Sequence, residues 1–275
     1  MSTKTRIIQG LILFLSFYGQ VFAQGDLLVF PKRIEFEGTN SRFQNITINN
    51  IAKEAVTYTI SFVNIKMGED GSFTPIEVPE KDQFFATPFL RCYPRTVTLQ
   101  PQESQVIKVQ LVKTAEMKEG EYRSHLYFRA LPKTEALAPA KEVKTEDKGL
   151  GIKLTAIYGI TMPIIIKSGR PTVEVSLDNL QVSKENNIQY LKLNINRKGN
   201  MSVFGDIKVN YISPSGTSIP IANVKGFAVY SPGSLRKTKI KLDSSKTINY
   251  SGGSIEVIYA KQENGTVFAK SLLKL

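Results

Sequence analysis

Cysteine and histidine occur once each in the 275 residues, and tryptophan does not occur. The lone Cys92 excludes an intrachain disulfide, and with one His beside it no Cys/His-rich zinc site can be assembled. Any Ser–His–Asp hydrolase would have to be built on His125. A phosphate-cradling glycine loop, a dinucleotide fingerprint and a nucleophile elbow are all missing. Gly252-Gly253-Ser254 is glycine-rich, but its place between Tyr250 and Ile255 reads as a turn opening a strand. The acidic residues are scattered and form no paired-carboxylate constellation. Helical periodicity is nearly absent, and no segment beyond the N-terminus is long and apolar enough to span a bilayer. These absences argue against an enzyme, and no cofactor or metal is expected.

What the chain does hold is a basic excess: 36 Lys and Arg against 24 Asp and Glu, a formal charge of +12. The basic residues alternate along strand-like runs without an aromatic platform, which favours a solvated surface over nucleic-acid binding. Residues 1–23 have the form of a secretory signal. Lys4 and Arg6 precede a short apolar run from Ile7 to Tyr18, and Val21-Phe22-Ala23 places small residues where a signal peptidase needs them. Cleavage near Ala23 would remove both cations and leave +10. The expectation is an exported protein without stable membrane insertion, stabilised by packing alone.

Period-two patterns then recur along the chain. Leu27 to Glu37, Arg42 to Asn50, Val56 to Asn64, Arg95 to Leu99, Gln105 to Val112 and Tyr122 to Leu131 are β-rich runs bounded by turn residues. Pro132 to Lys148, dense in Lys, Glu, Ala and Pro, reads as a solvated loop, and Leu150 to Lys167 as a long apolar strand. Ser168-Gly169-Arg170-Pro171 marks a domain boundary. Seven further strands are expected beyond it: Thr172 to Leu177, Tyr190 to Asn196, Ser202 to Ile212, Thr217 to Ile221, Thr238 to Leu242, Ser254 to Ala260 and Val267 to Leu273. Pro214-Ser215-Gly216 and Asn264-Gly265 supply hairpin turns. The chain is therefore expected to be all-β, with two β-sandwich domains in series at 24–167 and 168–275.

Several segments carry a resemblance. Phe30-Pro31-Lys32-Arg33-Ile34-Glu35-Phe36-Glu37-Gly38 precedes Ile46-Thr47-Ile48-Asn49-Asn50. Thr87-Pro88-Phe89, Pro94-Arg95-Thr96-Val97-Thr98-Leu99-Gln100-Pro101 and Glu103-Ser104-Gln105 follow. Gly120-Glu121-Tyr122-Arg123-Ser124-His125-Leu126 leads on to Leu131-Pro132, a charged loop and an apolar strand with Pro163. In order and spacing these resemble the periplasmic pilus-assembly chaperones, the PapD-like family of the usher pathway, over about residues 27–167.

The resemblance implies two immunoglobulin-like domains set at an angle around a cleft. It implies a chaperone that lends a β-strand to pilus or surface-fibre subunits and anchors the subunit's C-terminus in that cleft. It leaves open whether an outer-membrane usher is a further partner. Arg33 matches the family's cleft arginine. The position of its second cleft anchor, a lysine, falls on Tyr158, with Lys153 in the same strand as a substitute. Leu150, Ile152 and Leu154 alternate as a groove-filling face should, one residue out of the family's register. Glu121 matches an acid that pairs across the domains, although its usual arginine partner position is Met162. A secreted immunoglobulin-like adhesin or fibre component using the basic surface is the alternative.

Overall fold

The computed structural model describes residues 27–38, 42–131, 159–243, 245, 248–250, 252–262 and 264–275. Among them, eleven strands precede Gly169: β1 (Leu27–Phe30), β2 (Ile34–Glu37), β3 (Phe43–Asn50), β4 (Val56–Val63), β5 (Ile65–Met67), β6 (Phe73–Pro75), β7 (Leu90–Tyr93), β8 (Thr96–Leu99), β9 (Ser104–Leu111), β10 (Gly120–Ala130) and β11 (Gly159–Ser168). Seven follow it: β12 (Val173–Glu185), β13 (Ile188–Gly199), β14 (Val203–Ile212), β15 (Ser218–Val229), β16 (Leu235–Lys241), β17 (Ser254–Lys261) and β18 (Val267–Lys274). They form two β-sandwiches in series.

In the first, the sheet β1-β3-β9-β7 packs on the sheet β2-β11-β10-β4-β8. Inward-facing Phe36, Ile46, Ile48, Ile107, Leu126, Phe128 and Ile164 fill the space between them. In the second, β12-β13-β16 packs on β15-β14-β17-β18 around Leu191, Leu193, Ile195, Ile207, Val209, Val257 and Tyr259. Alternation of buried with less buried positions along β9 and β14 is the physical reason period-two runs marked these strands.

The β-rich run from Leu27 to Glu37 does not form one strand. Leu27–Phe30 pairs antiparallel with β3, whereas Ile34–Glu37 pairs parallel with β11 in the opposite sheet. Pro31, which has no N–H to give a ladder, sits at the break. One continuous segment thereby ties both sheets together.

Within β11 the residues from Met162 to Ile166 form an unbroken apolar run, and Ile164, Ile165 and Ile166 are fully buried because both faces of the strand are covered there. Met162, Ile164 and Ile166 enter the first core, while Ile165 enters the second. Two elements give weak sequence signals. β7 is four residues long, with Leu90 and Cys92 inward and Arg91 and Tyr93 outward. The β5–β6 hairpin is held at its turn by Asp70, whose Oδ1 accepts from the Ser72 amide at 2.9 Å and its hydroxyl at 2.6 Å. The β12 and β13 strands run longer than expected and meet at Asn186-Asn187, both at positive φ (47° and 64°). A two-residue hairpin requires that conformation, and Asn tolerates it.

Candidate functional site

The site grows out of β11. β10 pairs with it along the whole of Gly159–Ser168, but on the other edge β2 pairs only with Ile164–Lys167. Gly159 to Pro163 therefore present an edge without a strand partner among the described residues. Such an edge is a template for another extended chain.

Beside that edge a cleft of about 1290 Å³ opens between the sandwiches, walled by Pro163 of β11 and by Phe204, Tyr230 and Phe268 of the second domain. Arg33 lies on its floor, just before β2, with its side chain 13% exposed. It pairs with Glu35, its guanidinium stacks 4.6 Å from the centre of the Phe204 ring, and Nη1 reaches the Tyr230 hydroxyl at 3.4 Å. Glu35 also accepts from Lys167 Nζ at 2.6 Å, and Lys167 reaches Glu37 at 2.7 Å. Burial works to raise the Glu35 carboxyl, but the Arg33 charge and the Lys167 hydrogen bond outweigh it and hold the group below the usual carboxylate range. Burial works against the Lys167 ammonium too, yet its two carboxylate partners hold its pKa above the ordinary lysine value. Lys32, Lys225 and Lys261 add to the same lining, so the cleft is basic overall.

Behind the cleft, the outward-facing Glu121, Arg123 and His125 of β10 are buried at the contact with the second sandwich. Glu121 accepts from the Ser202 amide at 2.7 Å and from the Ser202 hydroxyl. The acid thus does reach across the domains, to a serine and not to an arginine. Met162, at the expected partner position, lies in the first core. Arg197 holds the loop that presents Ser202, donating to the carbonyls of Gly199, Met201 and Gly233. Burial raises the pKa of Glu121, only partly offset by the Ser202 hydrogen bonds. Arg123 lies over the Tyr230 ring at 4.4 Å, with Nε and Nη1 lacking hydrogen-bond partners among the described residues.

His125 is the third of these side chains. It packs in a triangle of rings with Phe73 and Tyr230, at ring-centre distances of 6.0 and 6.3 Å, those two being 6.2 Å from each other. Burial, with Arg123 and Arg33 nearby, lowers its pKa to about 3, and Nδ1 has no hydrogen-bond partner among the described residues. No hydroxyl is hydrogen-bonded to it among the described residues, so nothing there forms a nucleophile–base pair. Among the described residues no three His, Cys, Asp or Glu side chains are grouped to hold a metal ion.

Of the residues singled out from sequence, Arg33 lies in the cleft and Glu121 at the domain contact. Leu150, Ile152, Lys153, Leu154 and Tyr158, like residues 1–23, which the sequence led us to expect as a leader, lie outside the described residues. Sequence reasoning missed Glu35 and Lys167 as partners, and Phe204 and Tyr230 as walls. Alternation could have flagged Arg33, Glu35 and Glu37 as one face of β2. Phe204 and Tyr230 come from the other domain and left no local signal.

No protein-family model matches the chain, and no curated protein matches it in sequence. Solved structures are similar to it. The YadV chaperone aligns with a TM-score of 0.46 and 10% identity over 91% of this chain and 100% of its own. The class 5 fimbriae chaperone CfaA aligns with a TM-score of 0.44 and 14% identity, covering 90% of this chain and 98% of its own. The structure of the Salmonella enterica SafA pilin in complex with the SafB chaperone gives a TM-score of 0.42 and 12% identity, with 92% of this chain and 97% of the matched chain covered.

Proposed function

We propose that the protein is a periplasmic chaperone with immunoglobulin-like domains for pilus or surface-fibre subunits. It lends a β-strand to an incomplete subunit and seats the subunit's C-terminal carboxylate in the cleft. The observation that carries this reading is the half-open edge of β11, where residues 159–163 pair with β10 on one side and, among the described residues, with no strand on the other, beside a basic cleft. A subunit lacking a strand exposes an apolar groove and an unpaired edge, and one donated strand satisfies both. In this reading Leu150, Ile152 and Leu154, just upstream of the open edge, fill the groove. Arg33 holds the carboxylate, and Lys153 and Tyr158 lie along the same path.

Co-expression with a fibre subunit encoded beside this gene is expected to give a soluble one-to-one complex. Ile152→Asp combined with Leu154→Asp should abolish its recovery, because two carboxylates would have to enter an apolar groove. Arg33→Ala should weaken it by at least about tenfold, the scale of losing one partner of a desolvated charge pair. A complex that survives the double change intact would overturn strand donation.

A further inference from the structure

We infer that Glu35 is a resident carboxylate, filling a two-cation seat made by Arg33 and Lys167 until an incoming carboxylate displaces it. The inference rests on the cleft being the place where a partner's carboxylate is seated, and it names the second cation and the built-in competitor at that place.

The geometry supports this in three ways. First, the two Glu35 oxygens are divided between two cations: Oε1 faces Arg33 Nε, and Oε2 accepts from Lys167 Nζ at 2.6 Å. What the seat holds is thus a carboxylate in charge-assisted hydrogen bonds.

Second, each cation has a tether that does not involve Glu35. The Arg33 guanidinium is stacked on Phe204 and reaches the Tyr230 hydroxyl, and Lys167 keeps Glu37 at 2.7 Å. Withdrawal of Glu35 would leave both cations in place, so the seat is preorganised for the next carboxylate.

Third, Glu35 is partly accessible, its side chain 26% exposed, and it lines the open cleft with Lys32, Lys225 and Lys261. An anion approaching there meets a net positive surface even before Glu35 moves. In the free protein Glu35 spares the largely buried Arg33 guanidinium from standing without a carboxylate, while Lys167 keeps Glu37 in either case. In the complex it becomes a competitor, lowering the apparent affinity by the fraction of time it occupies the seat.

The test uses a small probe, so that it does not depend on any subunit. N-acetyl-phenylalanine, which offers a free carboxylate, is titrated into the isotope-labelled mature chain and followed by NMR, with N-acetyl-phenylalanine amide as the control. Glu35→Gln and Glu35→Ala should each bind the carboxylate at least about tenfold more tightly than the unaltered chain, with no gain for the amide. Adding Lys167→Gln to Glu35→Gln should remove the gain. In the unaltered chain, probe binding should move the Glu35 side-chain carboxyl resonance toward that of a solvated glutamate. A Glu35 of purely structural role would change the melting temperature without changing the preference for carboxylate over amide.

The inference is overturned if neither variant gains affinity, if the amide gains equally, if Lys167→Gln leaves the gain intact, or if the Glu35 resonance stays put while the cleft residues respond. A carboxylate-selective seat in a chain that captures no subunit would overturn the chaperone reading alone. A subunit complex that forms in a chain whose Glu35 variants gain nothing would overturn this inference alone.

Discussion

At the residue scale, the domain contact is a place where charge and burial conflict. His125 is 3% exposed and stays neutral in the folded protein down to about pH 3, well below the ordinary histidine value of 6.5. A base with a depressed folded pKa contributes its full stability above the unfolded value. That contribution is lost as pH falls from about 6.5 toward 3, because the unfolded chain takes up the proton first. The chain should therefore lose a few kcal/mol across that window on account of this one residue. His125→Phe, which keeps an aromatic ring beside Phe73 and Tyr230, should flatten this part of the profile in urea unfolding measured at successive pH values. An unchanged slope would mean that carboxylates set it.

Glu121 has the opposite sign for a carboxyl. With its folded pKa raised, its contribution is complete below the unfolded value and declines as pH rises through the folded one. What was readable at this scale was the face: strand alternation puts His125 on the side opposite Leu126. The partners were not readable, because Tyr230 lies 105 positions away and belongs to another sandwich.

At the element scale, the β5–β6 hairpin works as a strap. It springs from the first sandwich, yet Met67 is buried in the core of the second. At its turn the Glu69 carbonyl accepts from the Lys237 amide at 2.7 Å, and the Glu69 carboxylate pairs with the Lys237 ammonium at 2.8 Å. The hairpin thus satisfies one backbone donor on β16, an edge strand of its sheet. The ion pair is exposed and contributes little, so Met67 carries the attachment. Met67→Ala should cost roughly 2–4 kcal/mol in urea unfolding, as a buried methionine truncation does. It should also speed hydrogen exchange at the Lys237 amide. If that amide exchanges no faster, the hairpin is not what protects it.

The strap left a faint trace in the sequence, the cluster Gly68-Glu69-Asp70-Gly71-Ser72. Its two strands are three residues each, too short for any period to register. β11 shows the reverse case. Its apolar run from Met162 to Ile166 was plain, but only the fold explains it, since Ile165 enters the second core while Met162, Ile164 and Ile166 enter the first.

At the scale of the whole molecule, Ile165 joins what the chain boundary separates. It sits on a first-sandwich strand and is fully buried among second-sandwich residues. Removing it should weaken the second core more than the first. In scanning calorimetry, Ile165→Ala is expected to split a single melting transition into two, with the second sandwich unfolding at the lower temperature. One transition displaced as a whole would mean that the sandwiches unfold as a unit even without this contact.

The sequence by itself determined that this is a strand protein of two sandwiches and that Arg33 is a residue to watch. Period-two burial is local, written into consecutive residues by the pleat, and it needs no knowledge of the partner. The scarcity of Cys and His, read first as missing chemistry, is also compatible with the proposed work of a strand edge and a cleft, which needs neither. Only the tertiary structure decided what Arg33 faces, that Lys167 shares Glu35 with it, and that Glu121 reaches Ser202 in place of an arginine. Those contacts join segments up to about 200 residues apart, whose meeting follows from how two cores pack rather than from any local pattern.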